Sequence, residues 1–317
     1  MKPQLPLFDP PPIEPVDDAA LTALGRALPS RLHLGTSSWT FPGWSGLVYK
    51  GAPTKNDLIE RGLRAYCRHP LFRTVSVDRS YYAPLQLSEW EAYRREIPPG
   101  FKMSAKMGAL VTRRVNLPKV GEHQSTPNPL YLDVATASEF VRTFKEGLGD
   151  AAGPILIQFP PMDVPDSARF CVELAPFLRA LPSDVRYAIE IRNRELLTPR
   201  YVRTLKDCGV AHTFTYWSQM PPLEVQLGIP DLVDAPFAMA RLNLAPGERY
   251  GERREAFAPF DRIVVPQPKM RQEVIRLWRR IAERDLDLFV IVNNKAEGSA
   301  PLTLRAIAEE MSHSPGS

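Results

Sequence analysis

Residues 187–193 read YAIEIRN, and their alternation decides the fold. Tyr187, Ala188, Ile189 and Ile191 have the apolar, partly β-branched character of a buried strand. Glu190 and Arg192 interrupt that character two residues apart. Successive side chains on a strand point to opposite faces, so Tyr187, Ile189 and Ile191 share one face and Glu190 and Arg192 the other. Because Glu and Arg are almost never fully buried unless paired, the second face must offer partners or solvent.

The same unit recurs along the chain: a short apolar or β-branched run, a loop, and a helix-period stretch. Candidate strands lie at 32–37, 72–78, 101–106, 154–159, 186–192, 210–216, 237–242 and 288–293. Helical stretches fall between most of them, such as 54–69, 166–181 and 268–284. Eight strands alternating with helices predict an α/β fold, a single TIM (β/α)₈ barrel over 31–312, rather than an open doubly wound sheet. Three long loops, 107–135, 217–236 and 243–266, follow the third, sixth and seventh strands. In a barrel that position makes them lid candidates.

Composition agrees with a folded, soluble chain. Of 317 residues 44% are hydrophobic and 24% charged, and the net charge of +4 is far from the concentrated basic stripe of a dedicated nucleic-acid binder. Three widely spaced cysteines, Cys67, Cys171 and Cys208, suggest neither a disulfide framework nor a zinc ribbon. No apolar run reaches the length of a membrane span and no signal peptide is evident, so a cytoplasmic location is expected.

Strand parity carries polar residues to the barrel axis. Ser76 and Asp78 alternate with Val75 and Val77, and Ser104 and Lys106 with Met103 and Ala105; Gln158, Arg241, Asn243, Asn293, Asn294 and Lys295 end later strands. Nearly all lie toward the C-terminal ends of their strands, the face on which barrel enzymes build active sites. A structural ion-pair layer would explain one such pair, but desolvating charged and polar groups from six strands is costly unless a ligand or water shares the hydrogen bonds. Cations (Lys106, Arg192, Arg241, Lys295) outnumber Asp78 and Glu190, so the expected guest is an anion: a phosphate- or carboxylate-bearing small molecule, or a nucleic-acid fragment. Asn193 completes the polar set. In NNKAEGSAP (293–301), Gly298 and a capping Ser299 could present backbone amides to an anion, a weak motif that ordinary capping also produces. Aromatics flank the same rim: Trp39, Phe41, Trp44, Tyr81, Tyr82, Tyr216 and Trp217. They are suited to packing under loops or to stacking on a ligand.

Several stretches together resemble the family called domain of unknown function 72, or YecE-like: LGTSSWTFPGWSGLVY (34–49), VSVDRSYYAPL (75–85), PPGFKMSAKM (98–107), GPILIQFPP (153–161), IEIRN (189–193), ARLN (240–243) and VIVNNKAEGSAP (290–301). The resemblance implies a single-domain TIM barrel without implying an activity. The chain departs from the family pattern at Ser76, where Glu is usual, at Asp78 in place of Asn, at Asn193 and Asn243 in place of His, and at Arg113 of a Thr-His pair. If the family chemistry uses those residues, this chain has lost it or moved the acid to Asp78.

His33, His69, His123, His212 and His313 form no ligand spacing, so no tightly bound transition metal is expected; Mg²⁺ through Asp78 and Glu190 stays open. The simplest chemistry is Glu190 or Asp78 as general base with Lys106 polarising a developing anion, in a hydrolase, lyase or isomerase of phosphate-bearing substrates. A catalytically silent scaffold is the alternative.

The first fifteen residues contain six prolines, which predicts an extended arm before a short helix from about 17 to 28; a disordered tail is expected at 313–317. Within the arm, QLPLF (Gln4, Leu5, Leu7 and Phe8 its anchors) resembles the motif by which bacterial proteins bind the DNA polymerase sliding clamp. That resemblance implies an accessory role in DNA metabolism, whereas the plainer reading has the apolar residues covering the bottom of the barrel.

Overall fold

The computed structural model describes residues 11–116, 125–162 and 166–313. Gln4, Leu5, Leu7 and Phe8, His123, and all of the tail beyond His313 lie outside the described residues.

Eight parallel strands close into a barrel: β1 (Leu32–Thr36), β2 (Thr74–Val77), β3 (Lys102–Lys106), β4 (Ala152–Gln158), β5 (Tyr187–Glu190), β6 (Ala211–Tyr216), β7 (Ala238–Leu242) and β8 (Leu288–Val292). Closure is made by β8 on β1, from Leu32 opposite Leu288 to Thr36 opposite Val292. All neighbours in the ring are sequential, as short right-handed β-helix-β connections require.

Parity sorts the side chains as the alternation predicts. Val75, Val77, Met103, Ala105, Ile157 and Ile189 face outward into the continuous core shared with the helices. Leu156, Ala188, Ala211, Phe237, Met239 and Phe289 face inward and form a separate small core. Beneath it His33 stacks on Phe289 at 4.3 Å, and Arg186 lies over Phe289 while donating to Asp287 at 2.7 Å. Burial pushes His33 down to about 4, against the pull of Asp287, so it is neutral at physiological pH. Above the small core, register sets Gln158 beside Glu190 and Arg241 between Thr215 and Ile291. The interior is therefore apolar in its middle and charged toward the C-terminal ends.

The helices begin where the sequence supplies caps. Asp18 accepts from Leu21 N at the start of Ala19–Ala27, and Thr54 and Asp57 form a reciprocal box at the start of Lys55–Cys67. The three long connections, expected as loops, carry short helices at Ala109–Thr112, Leu223–Leu227 and Tyr250–Phe257. The second is tied down by one side chain: Gln226 donates to Thr215 O (2.9 Å) and Pro221 O (2.7 Å) and accepts from Thr215 N (3.2 Å). Backbone groups that a bare loop would leave unsatisfied are thereby paired. Ahead of the first helix, the chain runs along the 48–50 segment, with Lys50 N donating to Glu14 O and Val16 N to Val48 O.

Candidate functional site

Arg241 sits at the centre of the barrel mouth, 2% exposed. Its Nη1 donates to Glu190 Oε2 and its Nη2 to Asp78 Oδ2, each at 2.7 Å, and Nη1 also approaches Gln158 Oε1 at 3.4 Å. Arg192 completes the ring: Nε donates to Glu190 Oε1 (3.0 Å) and Nη2 to Gln158 Oε1 (2.9 Å), while its guanidinium lies 3.7 Å from the centre of the Trp217 ring. Ser76 donates to Asp78 Oδ1 at 2.8 Å. Strands β2, β4, β5 and β7 thus meet through one charge-assisted network.

This network polarises its members. Burial alone would raise the Glu190 carboxyl, but the guanidinium of Arg241, then that of Arg192, outweighs burial and holds it at about 2. Arg241 is disfavoured by burial and favoured more strongly by Asp78 and Glu190, so it stays charged. Lys106 is different. Burial is the largest effect on it, Asp78 only partly opposes that, and Arg241 adds repulsion; its ammonium falls to about 7. Its Nζ lies 3.8 Å from the centre of the Tyr81 ring and has no hydrogen-bond or carboxylate partner among the described residues. Ser80 fixes the Lys106 backbone from both sides, donating to its carbonyl (2.7 Å) and accepting from its N–H (3.1 Å). Lys295 is lowered to about 8, again mainly by burial, with Asp78 opposing and Arg254 and Arg241 reinforcing.

Asp78, Lys106, Gln158, Glu190, Arg192 and Arg241 are brought together, and Lys295 feels Asp78, Arg241 and Arg192. Asn293 ties two strand ends at the rim, donating to Ser37 Oγ at 3.0 Å and accepting from Lys295 N at 3.1 Å. Asn243 is buried, and its Nδ2 has no partner among the described residues. Tyr82 is 79% exposed and packs edge-on against Tyr81. It borders a groove of about 750 Å³ that Ser37, Thr40, Ser76, Asp78 and Arg79 also line.

Three residues expected at the ligand make packing or pinning contacts. Trp39 is buried, donates to Leu58 O at 3.1 Å and also lines that groove. Asn193 grips the Met162 backbone through both its oxygen (2.9 Å) and its amide nitrogen (2.8 Å). Asn294 accepts from Trp44 Nε1 (3.2 Å) and from Ala300 N (2.8 Å). That last bond caps the final helix from within, so the 293–301 segment does not present the Ala300 amide to an anion. Gly298, at φ +123°, permits close passage of the 262–264 segment: a Cβ there would lie 2.5 Å from Arg262 O.

Sequence reasoning had Tyr81 and Trp217 on the rim but not their tasks, which are to carry Lys106 and Arg192 on their faces. It passed over Thr213 and Thr215, whose buried hydroxyls, like that of Ser104, lack partners among the described residues. The alternation in HTFTY (212–216) contains that information, since His212 faces the helices, against Tyr201 and Gln226.

Among the described residues no group of three or more His, Cys, Asp or Glu is placed to hold a metal ion. A Mg²⁺ at Asp78 and Glu190 would have to displace guanidinium groups from three of their four oxygens. No helix among the described residues is long and apolar enough to cross a membrane.

Fold and site together define a TIM barrel with a buried ion network and a net-cationic C-terminal mouth. The family model described as "Protein of unknown function DUF72" matches residues 33–316, and the chain belongs to that family. Among solved structures it is similar to a DUF72 family protein from Enterococcus faecalis V583, at 16% identity over 89% of this chain and 96% of that one with a TM-score of 0.61. It is likewise similar to a DUF72 family protein from Thermotoga maritima MSB8, at 17% identity over 89% and 99% of the two chains with a TM-score of 0.60. At such identities the likeness shows the fold alone. No curated protein matches the chain.

Proposed function

We propose that the barrel mouth binds a small anion bearing a phosphate or carboxylate, with Lys106 as its first contact and Arg192 and Lys295 beside it. The observation that carries this reading is the division of charge at the mouth. Arg241 and Arg192 engage both Glu190 oxygens, and Arg241 also engages Asp78, while the Lys106 ammonium, in the same buried cluster, has no carboxylate within ion-pair distance among the described residues. Burying a cation without a counterion is costly, and an anionic guest removes that cost. The adjoining groove has the volume of a small-molecule site.

Roles within the site follow from exposure. Glu190 is sealed, ionised and doubly engaged, which suits it to position Arg241 and Arg192 rather than to take up protons. Asp78, with 28% of its side chain exposed, is the mouth carboxylate that reaches solvent, so acid–base work in a hydrolase, lyase or isomerase falls to it. The test is thermal stabilisation by inorganic phosphate, sugar phosphates and dicarboxylates against neutral analogues. Anions should stabilise the wild type and not Lys106→Met. Stabilisation by none of them would leave a silent scaffold.

A second reading concerns the arm. Gln4, Leu5, Leu7 and Phe8 combine apolar anchors with flanking prolines in a segment that precedes the barrel domain, a composition suited to docking in a preformed groove. On this reading the arm tethers the barrel to the DNA polymerase sliding clamp.

A further inference from the structure

We propose that Lys106 is an imine-forming nucleophile, so that the anion bound at the mouth is also an aldehyde or ketone. This inference rests on the anion-binding reading and adds to it the reacting atom and the substrate's second functional group.

Imine formation needs an amine that is neutral, held in place and shielded from water. Rigid backbone comes from the two Ser80 hydrogen bonds. Shielding comes from burial: Lys106 is 6% exposed. The groups that act on the amine lie on separate elements: the Tyr81 ring from the turn after β2, Asp78 at the end of β2, Glu190 and Arg192 at the end of β5, and Arg241 on β7. Their sum, dominated by burial, brings the amine to about 7, where half is neutral at neutral pH. A lysine used only to attract an anion gains nothing from losing its proton, whereas a nucleophile requires it.

The surroundings also suit the product. Arg192 and Lys295 take the substrate's phosphate or carboxylate and so aim its carbonyl at Nζ. The nitrogen lone pair attacks the carbonyl carbon, and the π pair moves to oxygen. That oxygen leaves as water with the two amine protons, giving a C=N bond with no change in oxidation state. On protonation the nitrogen is a cation again, and the electron-rich Tyr81 face 3.8 Å away stabilises it.

The experiment uses the full chain and pyridoxal 5′-phosphate, an aldehyde that carries a phosphate, followed by borohydride reduction and peptide mass mapping at pH 7. The reduced adduct should fall on Lys106 at least about 10-fold more than on any exposed lysine, since exposed lysines stay protonated, and more than on Lys295, which is lowered less. Inorganic phosphate should suppress it, unphosphorylated pyridoxal should label weakly, and Lys106→Arg should lose the adduct. Label spread evenly over surface lysines, or absent from Lys106, overturns the proposal. Stabilisation of the wild type by phosphate without labelling of Lys106 overturns the imine alone, whereas absence of both removes the anion site as well.

Discussion

Glu190 Oε2 accepts from Arg241 Nη1 at 2.7 Å, and both side chains are closed to solvent. Removing one partner of such a pair strands a buried charge, so Arg241→Met should lower stability by about 3–5 kcal/mol in urea unfolding. The double variant Glu190→Gln with Arg241→Met should lose less than the sum of the two singles. A loss under about 1 kcal/mol for Arg241→Met would mean the pair is solvated.

The same contact sets an acid limit. Glu190 titrates near 2 when folded against an ordinary 4.5, so between those values the unfolded chain binds the proton first. Its contribution is complete above about pH 5 and is lost as the pH falls from 4.5 toward 2. Urea unfolding of the wild type across pH 6 to 3 should therefore show a steeper acid decline than Glu190→Gln; equal slopes would remove Glu190 as the cause.

Lys106 predicts the opposite boundary for ligand binding. Its ammonium, brought to about 7, is charged below that pH and neutral above it. Phosphate stabilisation should weaken as the pH rises from 6 to 8, whereas trapped adduct per bound aldehyde should increase. In Lys106→Met the phosphate response should be lost across the whole range.

Asn294 separates support from binding. Asn294→Ala removes the acceptor shared by Trp44 and Ala300 N, which should cost about 1–3 kcal/mol of stability through unsatisfied buried donors. Phosphate affinity of the folded variant, measured by calorimetry, should match the wild type; a loss above about 10-fold (about 1.4 kcal/mol) would return Asn294 to the ligand.

The arm is tested apart from the barrel. Wild type should be retained on immobilised sliding clamp and Phe8→Ala released, with phosphate stabilisation unchanged in both. Failure of the wild type to bind ends the clamp reading and leaves the mouth untouched.

Strand parity was legible because it is local. Glu190, Arg192, Ser76, Asp78 and Lys106 could be sent to the axis from the apolar residues between them, with no knowledge of neighbours. The backbone contacts of Trp39, Asn193 and Asn294 were not legible in the same way, because each depends on a group distant in the chain or in a loop: Leu58 O, the Met162 amide and carbonyl, and Ala300 N. The short helices inside the long connections were missed because four to eight residues are too few to show a helical period.

By itself, then, the order of residues determined the eight-strand barrel and the charged side chains that strand parity sends toward its mouth. Which of those side chains neutralise one another was decided only by closure and register, which set Arg241 against Asp78, 163 positions away in the chain, and against Glu190. The physical reason is that facing is inherited from the two-residue repeat of a strand, whereas charge state depends on burial and on distances across the barrel. That is why Glu190 and Lys106, both marked in the sequence as mouth residues, end with opposite characters: a locked anion and a loosened amine.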